Sequence, residues 1–302
     1  MRKISVDAMP DPFFSIATFR RGKNCFFTLF AYIGCLATFT SLDFFSGDSY
    51  SIFEKIIYPL FLLLGIFFVV VTFSFFQHKH NVENTDKITI SSLGNRNKLN
   101  IIFGDIWEKS IINSESRTNI VISFNRCFDT KVDDALISLS YLHGELVKRL
   151  ISSGKYDENT LHAAIESSLS RFKNEKATYE LIQNKKSGYK KRYPVGTVAD
   201  VTGVNNEHYF CLGLSKFNQL TAELDKKEYI SAISSLVEQI IELSQGYPVY
   251  LPLIGTGRAN IGIDNKMALD TIIHIILLYR ATINCDINIV LKKELKNIVE
   301  IQ

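Results

Sequence analysis

Two uncharged apolar runs in the first quarter of the chain constrain this sequence more than anything else in it. Cys25 to Leu42 reads CFFTLFAYIGCLATFTSL, 18 residues without a charge, and Ile56 to Phe76 reads IIYPLFLLLGIFFVVVTFSFF, 21 residues without one. At a helical rise of about 1.5 Å per residue, each run is close in length to a hydrocarbon layer of about 30 Å. The second run is too long and too uniformly apolar for a helix buried in a soluble core, and the first is paired with it. Pro59 falls in the first turn of the second run, where a missing N–H costs little. A cleaved leader explains the first run poorly, because Asp43, Phe44 and Phe45 follow where a small-residue cleavage site is needed. The expectation is a transmembrane hairpin over 25–76 with spans at 25–42 and 56–76.

Basic residues orient it. Residues 1–24 carry Arg2, Lys3, Arg20, Arg21 and Lys23 against Asp7 and Asp11, a net +3. The loop 43–55 carries Asp43, Asp48 and Glu54 against Lys55, a net −2, and residues 77–98 return to +2. Positively charged flanks stay inside. The segment 1–24 is then a cytoplasmic basic N-terminus, both termini are cytoplasmic, and the protein is expected as a multi-pass protein of the inner (cell) membrane. Neither run holds a charged side chain of the kind that ion or proton paths require. The spans are either anchors or helices that assemble with one another in the lipid bilayer.

The rest of the chain has ordinary chemistry. Over all 302 residues the formal net charge is +3, from 34 basic and 31 acidic side chains. That excludes a strongly basic nucleic-acid binder, so no nucleic acid is expected as partner. A hydrophobic content of 46% excludes intrinsic disorder. The cysteines at 25, 35, 127, 211 and 285 form no CxxC and no pair at ligand spacing. They read as buried reduced thiols, with neither a disulfide scaffold nor a zinc site. No metal and no resident cofactor is expected.

Residues 77–97, with NVENTDK and SSLGNRN, read as a polar linker. From Lys98 short apolar runs alternate with longer amphipathic ones. Strands are expected over 98–106, 118–124, 193–201, 207–214, 248–254 and 286–292, and helices over 134–152, 157–170, 226–244 and 265–281. In the third helix Ile233, Leu236, Ile240 and Leu243 mark one apolar face. Alternating elements with continuous apolar strands predict an α/β domain over 98–302, a mixed and largely parallel sheet flanked by helices.

Three stretches carry chemistry. The first, PLIGTGRANIG from Pro252 to Gly262, runs from an apolar strand straight into Gly255, Thr256 and Gly257, with a helix following from about Asn265. Ligands of open α/β sheets bind beyond the carboxyl ends of strands. Glycines there let backbone N–H groups approach phosphate oxygens, a helix N-terminus adds a favourable dipole, and Arg258 would add charge. No GK[ST] follows, and the third glycine is misplaced for a dinucleotide fingerprint. A glycine-rich turn without a ligand is the competing reading. The second stretch, NIIFGD, ends a strand at Asp105, followed by Ile106. A carboxylate there can accept from an exocyclic amine or a ribose hydroxyl, or cap a helix. The third, IVISFNRCFDT, opens a strand onto Asn125, Arg126 and Asp129, a ligand loop or simple turn chemistry.

In this order the three resemble a macro domain, the ADP-ribose-binding α/β fold. The resemblance covers roughly 98–302 and rests on Gly104-Asp105-Ile106, on Ile120 to Asn125 and on Pro252 to Gly257. It implies that Asp105 contacts the adenine amine and Ile106 the ring, while Gly255, Thr256, Gly257 and Arg258 hold the diphosphate and ribose. Where macro domains carry Asn-Ala-Ala-Asn and a run of glycines, this chain has FNRCFDTKVDDALISLSYLHG. The asparagine remains as Asn125 and the glycines are gone. Hydrolytic chemistry on ADP-ribosyl groups depends on that run, so the chain is not expected to be an enzyme. A reshaped pocket with Asp129, Ser138, Ser140 and His143 around it is expected to read an ADP-ribose derivative made from NAD.

Two membrane spans joined to a macro-like domain resemble one further family, the membrane effector of type II Thoeris antiphage systems. The resemblance implies a TIR-domain enzyme as functional partner through its nucleotide product, homo-oligomer formation on ligand binding, and membrane disruption in antiphage defence by abortive infection. Two other classes stay open: an anchored ADP-ribose-processing hydrolase, and a passive anchored ADP-ribose-binding scaffold. Elsewhere, His78 and His80 are too few for a metal site. Cys127 has no histidine near it in sequence to act as its base. Lys185, Lys186, Lys190, Lys191 and Arg192 flank Ser187-Gly188 in what reads as a hairpin, either a solvated basic turn or a contact for anionic lipid or a neighbouring subunit.

Overall fold

The computed structural model describes residues 68–69, 72–73, 86–112, 116–133, 137–171, 179–185, 187–218, 221–257 and 262–298. The chain divides into two units, Met1–Arg2 with Asp86–Val299, and Lys3–Thr85 with Glu300–Gln302. The N-terminal segment 1–24 and the expected span 25–42 lie outside the described residues. So does the span 56–76 apart from the helical residues 68–69 and 72–73, where the Thr72 hydroxyl donates to the Phe68 carbonyl one turn back, at 2.8 Å. Among the described residues no helix is long and apolar enough to cross a membrane.

The larger unit is built on one sheet. Its strands are β1 (Lys87–Ser92), β2 (Lys98–Phe103), β3 (Thr118–Asn125), a short hairpin pair β4 (Glu180–Leu181) and β5 (Lys191–Arg192) apart from the main sheet, β6 (Val198–Thr202), β7 (Glu207–Asn218), β8 (Thr221–Glu223), β9 (Val249–Pro252) and β10 (Ile287–Leu291). The spatial order is β1-β2-β10-β9-β3-β7-β6, with β8 paired to the end of β7. β2, β10, β9, β3 and β7 run parallel, in registers such as Ile287 opposite both Leu99 and Val249. β1 and β6 close the two edges antiparallel. Strands covered on both faces need apolar residues in both phases. Every residue of β9 and β10 is buried, and all of β2 except Lys98.

Four helices cover the sheet: α1 (Leu142–Ser152), α2 (Glu158–Arg171), α3 (Lys226–Leu243) and α4 (Asn265–Leu278). Leu146, Val147 and Leu150 of α1 and Leu161, Ile165 and Leu169 of α2 share a core with Ile102, Ile120, Ile122 and Val290 of one sheet face. The opposite phase, Ile101, Val121, Leu251 and Ile289, is equally buried. α3 and α4 pack on each other, with α3 against β6 and β7. Both start on a carboxylate cap: Asp225 accepts from the Glu228 N–H and Asp264 from the Met267 N–H, each at 2.7 Å.

Two expectations about elements need correction. The stretch 77–97 was expected as a linker, yet its later part is β1 and a 3-10 turn, Gly94–Arg96. An edge strand buries little: only Ile88 of β1 is fully covered, so its polar composition concealed it. The helix expected over 134–152 begins only at Leu142. Ahead of it the chain doubles back at Ser138, whose carbonyl accepts from the Tyr141 N–H at 3.2 Å.

Candidate functional site

The parallel strands all point their carboxyl ends at one cavity of about 940 Å³. That position is where an open α/β sheet takes its ligands, and the volume is at the upper end for a small-molecule site.

At the end of β2, the Gly104 N–H donates to the Leu291 carbonyl at 2.8 Å and carries the ladder one residue further. A Cβ there would meet the Ile111 side chain at 2.3 Å. Asp105 is exposed at the cavity edge, where its Oδ1 accepts from the Trp107 N–H at 2.9 Å. Ile106 is buried beside it and also lines the cavity. The Trp107 indole donates to Glu145, and the Arg149 guanidinium stacks over the Trp107 ring at 4.4 Å.

At the end of β9 the loop Gly255–Gly257 faces the same space. Gly255 has φ 98°, a left-handed conformation suited to glycine. A Cβ built on Gly257 meets nothing within 4 Å, so the packing of the loop does not itself require glycine there. The Tyr229 hydroxyl on α3 fixes the entry to this loop by donating to the Ile254 carbonyl at 2.9 Å. Arg258 lies outside the described residues.

The end of β3 departs from expectation. Asn125 lines the cavity, but its polar atoms turn into their own loop. Its Oδ1 accepts from the N–H groups of Cys127 and Asp129, at 3.1 and 3.3 Å, and its Nδ2 donates to Asp129 at 3.0 Å. Asp129 is fully buried and is not among the residues that line the cavity. Its carboxylate accepts from the Lys185 ammonium at 2.7 Å and from the Tyr189 N–H at 2.6 Å. Asn125, expected at the ligand, does line the cavity but spends its amide on the loop after β3, whereas Asp129, expected beside it, lies behind the wall and ties that loop to Lys185 and Tyr189, because a buried polar group must find partners wherever the chain offers them.

α1 supplies a wall. Ser138, Ser140, Tyr141, Leu142 and His143 all line the cavity. The residue before the helix, Tyr141, makes no side-chain cap hydrogen bond to the first turn. The His143 Nε2–H donates to the Asp129 carbonyl at 2.9 Å, and the ring lies 3.7 Å from the Phe124 ring centre to centre. Desolvation pushes the imidazole down to about 3, with the hydrogen bond to the Asp129 carbonyl opposing it. It is therefore neutral at pH 7.

Glu108, Glu145, Ser215, Lys292, Lys293 and Glu294 also line the cavity, and sequence reasoning missed them. The last three were within reach, since Lys292 ends the expected strand 286–292 and Lys293 and Glu294 follow it directly. Cys127 is buried, and its thiol is pushed up by desolvation, which leaves it poorly suited to act as a nucleophile at neutral pH. The basic hairpin is real, but Lys185, Lys191 and Arg192 are paired within the chain, to Asp129, Glu166 and Glu180. Those three are not free for lipid or a neighbouring subunit. Among the described residues no group of His, Cys, Asp and Glu is placed to hold a metal ion.

A family model described as "Thoeris protein ThsA, Macro domain" matches residues 99–292. The curated protein "Thoeris protein ThsA" of Bacillus amyloliquefaciens (strain Y2) is 27% identical over 219 residues. That match covers 72% of this chain and 66% of the relative, just under two thirds of its length. Solved structures similar to the chain include an Oceanobacillus iheyensis macrodomain mutant with ADPR and the macrodomain of the same species with ADP. Each is 14% identical with a TM-score of 0.45 over 70% of this chain, and they are covered to 94% and 92%. The macrodomain of Mycobacterium tuberculosis DarG is 13% identical, with a TM-score of 0.34 over 63% of this chain and 96% of its own.

Proposed function

Since the chain belongs to the family of Thoeris protein ThsA macro domains, we propose that its cavity is the receptor for an ADP-ribose derivative made from NAD. The observation that carries this is the pairing of Asp105, exposed at one strand end, with the open Gly255–Gly257 loop at another, across one cavity of about 940 Å³. Asp105 accepts from the adenine amine, and Ile106 gives the ring an apolar seat. The N–H groups of the glycine loop and of the uncapped first turn of α1 converge on the diphosphate. The lost glycine run is replaced in this reading by the α1 wall, with His143 held neutral beside the ligand.

The site binds and does not cut. Asn125 spends its polar atoms within its own loop and Asp129 on that loop, Lys185 and Tyr189, the His143 Nε2–H is committed to a carbonyl, and Cys127 is a buried thiol. A TIR-domain enzyme supplies the ligand, and the chain answers it at the inner membrane by self-association of spans 25–42 and 56–76, which disrupts the bilayer in antiphage defence. Calorimetric titration of the full-length chain in detergent with ADP-ribose tests the receptor reading. Saturable heat lost in Asp105→Ala is the expected result, and no binding to the wild-type chain overturns it. Release of ADP-ribose from an ADP-ribosylated protein would replace it with the hydrolase reading.

A further inference from the structure

Lys185 is more than thirty residues beyond the end of α1 in sequence and does not line the cavity, yet one chain of contacts joins it to the cavity wall. Its ammonium, on a side chain only 8% exposed, meets the fully buried Asp129 carboxylate at 2.7 Å and the Tyr189 carbonyl at 2.8 Å. The other oxygen of that carboxylate accepts from the Tyr189 N–H. Asp129 also presents its backbone carbonyl to His143, which lines the cavity. The hairpin that carries Lys185 has strands of two residues each, too short to stand alone. It is tied down around this point: the Tyr189 ring stacks on His162 at 3.3 Å, and the Tyr189 hydroxyl lies 2.9 Å from that of Thr130.

We propose that Lys185 is a positioning residue for ligand binding, holding the His143 wall of the cavity through Asp129. This rests on the reading of the cavity as an ADP-ribose site. Without the ammonium, a dehydrated carboxylate keeps only neutral donors and must move toward water. The backbone of Asp129 moves with it, and His143 loses its acceptor. The first turn of α1, which lines the cavity through Leu142, His143 and Glu145, shifts in consequence.

The test uses the full-length chain in detergent, with ADP-ribose as probe. Lys185→Met is expected to weaken binding at least tenfold and Lys185→Arg to restore most of it. In a His143→Ala background, Lys185→Met is expected to change affinity by less than twofold, because the two act through one path. Equal affinity in Lys185→Met and wild type overturns the proposal, and so does a full tenfold loss added on top of His143→Ala. Should Lys185→Met not fold, Lys185→Met with Asp129→Asn leaves no unpaired charge and serves the same comparison. A ligand-free arm separates this from the receptor reading. Amide hydrogen exchange in Lys185→Met is expected to rise over 138–144 while β3 and β9 stay protected. A uniform rise across the domain marks a merely structural residue and overturns the proposal even if ADP-ribose binds to no variant.

Discussion

Single residues at the cavity divide into those that the fold needs and those that it leaves unconstrained. Gly257 belongs to the second class, since a Cβ there enters empty space and the position is not left-handed. Gly257→Val is expected to leave stability within about 0.5 kcal/mol of wild type, as at an unconstrained surface position. ADP-ribose affinity is expected to fall by tenfold or more, roughly 1.4 kcal/mol. Thermal melting and calorimetry on the same preparation check both halves. His143 belongs to the first class. Its folded value lies near 3, below the ordinary 6.5 of an unfolded histidine, so the unfolded chain binds the extra proton. Its contribution to stability is therefore full above about pH 6.5 and is lost as pH falls toward 3. Melting temperatures of wild type and His143→Gln measured from pH 7.5 to 5 are expected to converge as the pH drops, because only wild type pays this penalty.

At the scale of elements, close approach decides where α1 starts. A Cβ on Gly144 would come within 2.3 Å of the Ser138 carbonyl oxygen, a backbone atom that cannot step aside. Gly144→Ala is expected to destabilise the domain by about 1–3 kcal/mol, the usual cost of forcing an overpacked contact. Denaturant unfolding measures it, and a neutral or stabilising result would contradict the tight packing of the 138–144 turn. The same turn explains why the helix expected from 134 begins at Leu142: the apolar spacing of Leu136, Ile137 and Leu139 continues the helical pattern backward, but the chain reverses at Ser138. β1 shows the opposite error, a strand hidden because one buried isoleucine is all that an edge requires.

At the scale of the molecule, the two apolar runs and the described domain have to act together if the chain is a sensor. If the two runs span the bilayer as helices, one chain's pair cannot enclose an aqueous path without leaving backbone or apolar surface facing water, whereas several chains can repack theirs around one. A ligand shifts assembly only by its differential affinity for assembled and free chains, and assembly tightens ligand binding by the same factor. Mass photometry of detergent-solubilised full-length chain is expected to show larger particles with ADP-ribose-type ligand than without it. Membrane leakage in cells with no change in particle size would remove self-association from the mechanism, and so would assembly of Gly257→Val under the same ligand.

The sequence by itself determined the order of the central strands and of the four helices from Lys98 onward, though not β8 or the short hairpin strands, together with the apolar runs at 25–42 and 56–76 and the two motifs ending at Asp105 and Gly257. These are local signals, written in periodicity and in glycine placement within a few residues. Only the tertiary structure decided which strands are neighbours, and with that which strand ends share a cavity. The insertion of β10 between β2 and β9 brings Lys292, Lys293 and Glu294 to a site whose other walls lie far away in the chain. It also decided that the Asn125 amide is spent on its own loop, that Asp129 lies behind the cavity wall and that Lys185 is buried against that carboxylate 56 residues distant. No spacing rule reaches that far. A buried charge is satisfied by whatever partner the packed fold delivers to it, and that delivery depends on the whole sheet having formed.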